Sequence, residues 1–182
     1  MTGQETITLG GGCFWCTEAV FEQVRGVTAL QSGYANGHLS RAPSYEEVCT
    51  GGTGCVEVVQ LRFDAGVISV REVLEIFFAT HDPTQLDRQG NDVGTQYRSG
   101  VYYGEAAHGD LARAMVQQLN AEGRFPAPVV TEVQPLTHFW PAEQYHQKYY
   151  RSNPRQGYCT VVVAPKVEKF RKTFKRYLKE GA

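Results

Sequence analysis

The sequence predicts an α+β fold, a two-layer sandwich of short strands with helices set between them. Three observations carry that expectation. Strand-like alternation recurs in short segments, apolar stripes at helical spacing fall between those segments, and no repeat or low-complexity stretch interrupts them. At 182 residues the chain has the length of one compact domain, so residues 1–182 are read as a single unit. Hydrophobic residues make up 42%, charged residues 20%, and the net charge is -1. That balance gives no reason to invoke nucleic acid, a membrane surface or an acidic substrate, so function must come from a site. No basic flank followed by a long apolar stretch opens the chain, and no apolar run is long enough to span a bilayer. A cytoplasmic protein is the default expectation.

In chain order, Glu5 to Leu9 alternates as a short strand. Gly10, Gly11 and Gly12 then permit a tight turn, and Phe14 to Val24 carries apolar residues at helical spacing. Cys13 thus falls where a helix begins. Gly26 and Val27 open a second strand running through Tyr34, followed by a polar loop from Asn36 to Ser44. Glu57 to Phe63 reads as a third strand, and Val70 to Thr80 as an amphipathic helix with Val70, Val73, Leu74, Phe77 and Phe78 inward. His81 to Ser99 has no apolar period and is rich in turn residues, which predicts a long loop of the kind that often carries function. Gly100 to Tyr103 is a short strand, Ala106 to Asn120 a helix, Val129 to Val133 a strand, and Phe139 to Tyr150 an aromatic-rich segment with a helical centre. Thr160 to Val163 looks strand-like. Pro165 stands at the first position of a final helix in which Val167, Phe170, Phe174 and Leu178 form one stripe.

Five cysteines, Cys13, Cys16, Cys49, Cys55 and Cys159, are an odd number at irregular spacings, which argues against a disulfide framework. The strongest local feature is Gly-Gly-Gly-Cys-Phe-Trp-Cys between a strand and a helix. A cysteine at a helix N-terminus faces unpaired backbone N–H groups and the positive end of the dipole, which favour the thiolate; Cys13 is therefore the candidate nucleophile. Adjacent helical positions point about 100° apart, so Phe14 and Trp15 cannot bury in the same way. One or both can wall an apolar pocket suited to a small uncharged group such as a methyl. The five histidines show no pairing at metal-ligand spacing, so neither a metal nor a cofactor is expected.

GCFWC, followed in order by GYANG, PSYEEVCTGGTG, VEVV, HDPTQLDRQGNDVGTQYRS and NPRQGYC, resembles the peptide methionine sulfoxide reductase A family over nearly the whole chain. The resemblance implies a scaffold related to the ferredoxin-like plait, with extra loops and a C-terminal helix. It also implies a single catalytic domain that reduces methionine S-sulfoxide, free or in oxidised proteins, through a sulfenic acid on Cys13. Sulfoxide oxygen leaves poorly unless it receives a proton, so a neutral carboxylic acid in apolar surroundings is needed beside the thiolate. Glu57 matches the family's acid, Tyr45 and Tyr97 its hydroxyl donors, and Asp92 the acidic residue that holds the substrate's backbone amide.

The sulfenic acid needs a second thiol, and then thioredoxin or another dithiol, to be recycled. Cys159, in GYC, matches a resolving cysteine of the family, although the chain runs on into TVVV and a helix where a flexible tail is usual. Cys16 stands where glycine is commoner, and its spacing from Cys13 is that of a CxxC pair. Cys55, two residues before Glu57, is a third candidate, and direct rescue by an external thiol a fourth. Cys49 is expected to be a buried small residue. A monomer is expected. The rival readings are a thioredoxin-like disulfide oxidoreductase and a peptide-binding module using Trp15, Trp140 and Tyr145.

Overall fold

The computed structural model describes residues 3–181. In chain order its elements are β1 (Gln4–Gly10), α1 (Phe14–Phe21), β2 (Val27–Ala35), α2 (Tyr45–Cys49), β3 (Val56–Asp64), α3 (Val70–Ala79), β4 (Arg88–Gln89), β5 (Asp92–Val93), β6 (Gly100–Tyr103), α4 (Ala106–Ala121), β7 (Glu132–Pro135), β8 (Phe139–Pro141), α5 (Tyr149–Ser152) and α6 (Ala164–Thr173). Six strands form one mixed sheet in the order β7-β6-β1-β3-β2-β8. The pairs β1–β3, β1–β6, β2–β3 and β2–β8 are antiparallel, and β6–β7 is parallel. The strands β4 and β5 make a separate small hairpin.

Period-two alternation on β3 divides its side chains between two apolar clusters. Val59, Leu61 and Phe63 join Ile7 and Leu9 of β1, Phe14, Val20 and Phe21 of α1, and Val73, Leu74 and Phe77 of α3 in the main core. Val56 and Val58 pack with Ala35 and Tyr102 in a smaller one. Glu57 lies in step with Val59, so strand geometry alone turns its carboxyl towards the main core and α1. Helix α3 starts on a reciprocal cap in which Ser69 Oγ accepts from the Glu72 N–H and Glu72 Oε1 accepts from the Ser69 N–H, each at 3.1 Å.

Several elements depart from the sequence reading. The first helix ends at Phe21, before Val24. The strand expected over Val129–Val133 is Glu132–Pro135, shifted towards the chain end by its parallel pairing with β6. The long loop holds the β4–β5 hairpin and a 3-10 turn at Thr95–Tyr97. The aromatic segment opens with β8 and continues through a 3-10 turn at Gln144–His146 into α5. The strand-like Thr160–Val163 belongs to a π-helical turn, Cys159–Val163, that runs into α6. A proline ring clashes with the carbonyl four residues back in an α-helix, and a widened turn ahead of Pro165 relieves that clash. The apolar stripe survives only in part, since Phe174 caps α6 and Leu178 lies beyond it, paired with Val24 as an isolated bridge.

Candidate active site

Cys13 sits at the junction of β1 and α1. Gly12 has φ of 93°, and a Cβ there would lie 2.7 Å from Gln89 Cβ, so the turn admits only glycine without strain. Cys13 is the N-cap of α1, its side chain makes no cap bond, and its carbonyl accepts from the Cys16 N–H at 3.1 Å. The open first-turn N–H of Phe14 is taken instead by Glu57 Oε1, at 3.2 Å. The expectation of a lowered Cys13 pKa is corrected. Burial pushes the thiol well up, and the contact with Cys16 and the Glu57 charge add to this, against a smaller pull from the Trp15 N–H.

Glu57 is 1% exposed and stands opposite Tyr34 in the β2–β3 register. Its Oε2 is buried and without a hydrogen-bond partner among the described residues. Burial raises its pKa to about 8; the Phe14 N–H opposes the rise, and the charges of Asp92 and Cys16 add to it. Tyr45, at the start of α2, and Tyr97, in the 3-10 turn, are both pushed up by burial and then by the Glu57 charge, so each stays a neutral hydroxyl near that acid. Glu143 orients this side of the site. Its Oε2 accepts from the Tyr45 N–H at 2.9 Å and its Oε1 from the Tyr34 hydroxyl at 2.8 Å.

Asp92 reaches the site because the β4–β5 hairpin is clamped. The Gln89 side chain accepts from the Asp82 N–H and donates to the Asp82 carbonyl, both at 2.9 Å. Asp92 Oδ2 then accepts from the Tyr158 hydroxyl, which also lies 3.9 Å from Cys16 Sγ. Phe14 and Trp15 part company as their helical spacing requires. Phe14 is buried in the core against the Tyr34 and His146 rings, whereas Trp15 is half-buried. Its indole N–H donates to His146 Nδ1 at 3.1 Å, and its face stacks on Tyr149 at 3.7 Å and 7°.

All five thiols are free. Cys16 is buried one helical turn from Cys13, and the Cys13 thiol, with Lys166 and Tyr158, draws its pKa down against burial. Cys159 is buried at the head of the π-helical turn, pushed up by burial and by the nearby Cys16. Cys55 is buried with its thiol on the Asn36 carbonyl. Cys49 corrects the expectation of a buried residue: it is exposed, because α2 turns its last residue outward, and its thiol meets Tyr45. Sequence reasoning passed over Tyr158, His146, Tyr149 and Glu143. The first lies in the GYC motif beside Cys159 and the others in the aromatic-rich segment, so composition pointed to the right stretch without assigning roles. Among the described residues, Glu5, Glu105 and His108 bring ligand-type atoms within 4.8 Å of one another, but His108 Nε2 is already bound to Glu5 Oε1 at 2.7 Å.

Two thiols one helical turn apart can exchange two electrons by forming a disulfide, with no added group; the site and its scaffold therefore fit a thiol-dependent oxidoreductase. Comparison with known proteins narrows this. The family model described as Peptide methionine sulfoxide reductase matches residues 5–178. A protein of Ralstonia nicotianae named Peptide methionine sulfoxide reductase MsrA is 56% identical over 174 residues, covering 93% of this chain and 91% of its own; a Saccharolobus solfataricus protein of the same name is 51% identical over 93% and 94%. Among solved structures, Mxr1 from Saccharomyces cerevisiae in reduced form superposes with a TM-score of 0.81 at 34% identity, covering 86% of this chain and 89% of that one. Methionine sulfoxide reductase A of Corynebacterium diphtheriae gives 0.76 at 35%, over 88% and 80%. Mxr1 in complex with Trx2 gives 0.58 at 25%, over 80% and 84%. The chain belongs to the peptide methionine sulfoxide reductase family, whose members reduce methionine sulfoxide.

Proposed function

We propose that this chain reduces the S epimer of methionine sulfoxide, in oxidised proteins or free, with Cys13 as nucleophile and Glu57 as the acid that delivers the proton. The observation that carries this reading is the Glu57 carboxyl. One oxygen is fixed by the N–H of the residue next to Cys13, the other is buried without a partner, and the pKa of about 8 keeps the group protonated at neutral pH. A protonated Glu57 no longer repels a thiolate at Cys13. The thiolate sulfur attacks the sulfoxide sulfur, and the oxygen, protonated with help from Glu57, Tyr45 and Tyr97, leaves as water. A water then adds to Cys13 Sγ as the S–S bond breaks, which releases methionine and leaves Cys13 as sulfenic acid. Asp92 holds the substrate's backbone amide, and Trp15 bounds the methyl pocket, with Phe14 packed in the core behind it.

Of the resolving candidates, Cys16 is favoured for the first step because it lies on the same turn of α1, its N–H donating to the Cys13 carbonyl at 3.1 Å. Its thiol displaces water from the sulfenic acid, and Cys159, in the field of Cys16, is placed to take over the disulfide. A thioredoxin dithiol returns the enzyme to its starting state, a reading supported by the likeness to Mxr1 in its complex with Trx2. We read residues 1–182 as one catalytic domain acting as a cytoplasmic monomer, five free thiols being in keeping with a reducing compartment. We read the scaffold as a ferredoxin-like plait on the order β1-α1-β2-β3-α3-β6 with β3 between β1 and β2. The test is one stoichiometric turnover without reductant, followed by mass spectrometry of the digested protein. A Cys13–Cys16 bond is expected in Cys159→Ser. Substantial turnover by Cys13→Ser would sink the mechanism.

A further inference from the structure

Tyr97 and Glu57 come from separate stretches of chain, and one side chain outside the proposed chemistry ties those stretches together. Tyr97 lies in the 3-10 turn Thr95–Tyr97, which Arg98 closes, its N–H donating to the Thr95 carbonyl at 3.2 Å. Glu57 follows the loop 50–55 that joins α2 to β3. Arg98 Nη1 donates to the Thr95 carbonyl and Arg98 Nη2 to the Gly54 carbonyl, each at 3.0 Å. Its Nε donates to Glu132 Oε2 of β7 at 3.2 Å, and the Tyr102 hydroxyl donates to the same oxygen at 2.7 Å. A second bond crosses between turn and loop, Thr95 Oγ1 donating to the Gly51 carbonyl at 3.4 Å.

An ion pair at the surface does not account for this arrangement. The Arg98 and Glu132 side chains are 21% and 35% exposed, and a partly wet pair contributes little. Such a pair asks only for a charge, which lysine would supply. The two carbonyl bonds ask for more, namely N–H donors fixed in one plane on a rigid fork, and only a guanidinium provides them. Their acceptors are equally telling. Gly54 stands three residues before Glu57 and Thr95 two before Tyr97, so one rigid group spans the stretch that delivers the acid and the stretch that delivers the hydroxyl. The far end of the loop 50–55 is α2, which carries Tyr45. The Arg98 backbone is itself pressed against the end of β1, where a Cβ on Gly10 would lie 3.3 Å from the Arg98 carbonyl oxygen.

We propose that Arg98 is a positioning residue for the removal of oxygen: its guanidinium bridges the Thr95 and Gly54 carbonyls, fixes the Tyr97 turn against the strand that carries Glu57, and so holds the phenol where the sulfoxide oxygen is protonated. The proposal rests on reading Tyr97 as a hydroxyl donor to that oxygen. Trp15 and Asp92 are held by bonds of their own, so loosening the fork slows the chemical step and spares substrate binding.

The test is single-turnover reduction of a peptide carrying one methionine sulfoxide, by the parent, Arg98→Lys, Tyr97→Phe and the double variant. Arg98→Lys keeps the charge and loses the fork. Its limiting rate is expected to fall about ten- to a hundredfold, the scale of a misplacement of about 1 Å, with half-saturation unchanged. Tyr97→Phe lowers the limiting rate too, and adding Arg98→Lys to it should cost little more, because the hydroxyl being placed is already gone. Glu132→Gln keeps an accepting oxygen and both carbonyl bonds, so its rate stays near that of the parent. Should Arg98→Lys not fold, Thr95→Val cuts the other bond between turn and loop. Its limiting rate should fall by a smaller factor, and again not in the Tyr97→Phe background. The proposal is overturned if the folded Arg98→Lys, or Thr95→Val in its place, turns over as the parent does, if its loss multiplies that of Tyr97→Phe in full, or if half-saturation rises while the limiting rate holds. It is overturned as well if Glu132→Gln is as impaired as Arg98→Lys. A Tyr97→Phe variant as fast as the parent would remove Tyr97 from the proton transfer, and the proposal would fall with that reading. A parent protein that does not reduce the peptide at all would instead overturn the functional reading.

Discussion

At the residue scale the reading turns on the proton of Glu57 and on the raised pKa of the Cys13 thiol. Replacing Glu57 by Gln removes the acid and keeps the shape, and the single-turnover rate is expected to fall by about two to four orders of magnitude. In the proposed role Glu57 acts protonated, so the limiting rate should fall as pH rises through about 8, and this limb should be absent from Glu57→Gln. Stopped-flow turnover between pH 6 and about 10 reads both. The same raised pKa has a consequence for folding. The protonated group is the one the fold favours, so the stabilisation is full below the ordinary value of 4.5 and is lost as pH rises through about 8. Cys13 was legible in the sequence from its glycines and helix start, but its pKa was not. Helix position is local, whereas burial and the contact with Cys16 and Glu57 arise from packing.

At the element scale, the turn before Cys13 and the cap of α3 make opposite predictions. Gly12→Ala puts a Cβ against Gln89 in a left-handed backbone and should cost about 1–3 kcal/mol. It should also lower turnover, because Gln89 anchors the hairpin carrying Asp92. Ser69→Ala removes the cap of α3 and should cost about 1 kcal/mol with turnover unchanged. Urea unfolding beside a turnover assay separates the two. Elements with strong periodicity, such as α3 and β3, were visible in the sequence because their own side chains supply the core face. Thr160–Val163 was misread because its β-branched residues favour strands, while the helical course into Pro165 and the burial of Cys159 and Val163 decided otherwise. The hairpin β4–β5 carries no apolar pattern, being held by the side-chain clamp of Gln89 on Asp82, which no periodicity reveals.

At the scale of the whole molecule, the end of the chain is stitched back to the end of α1. The Arg25 N–H donates to the Tyr177 carbonyl at 2.6 Å, the Lys179 N–H donates to the Gln23 carbonyl at 2.9 Å, and Tyr177 is 6% exposed. Ending the chain after Phe174 should therefore lower the melting temperature by several degrees, at about 2–4 °C per kcal/mol for a protein of this size, which calorimetry would measure. The candidate site draws on residues 13 to 158 across four distant stretches, which is why single motifs pointed to residues but not to their contacts. One of those contacts divides the molecule by what must stay still. The Phe14 N–H bond to Glu57 ties the attacker's helix to the acid's strand, whereas Tyr149, Tyr158 and Cys159 all come from the chain's last stretch. Passing a disulfide outward can thus shift the cover of the site between cycles without changing the spacing of sulfur and acid. On the proposed reaction the lining would move to re-arm the site, while the Phe14 N–H bond keeps Cys13 and Glu57 at a fixed spacing.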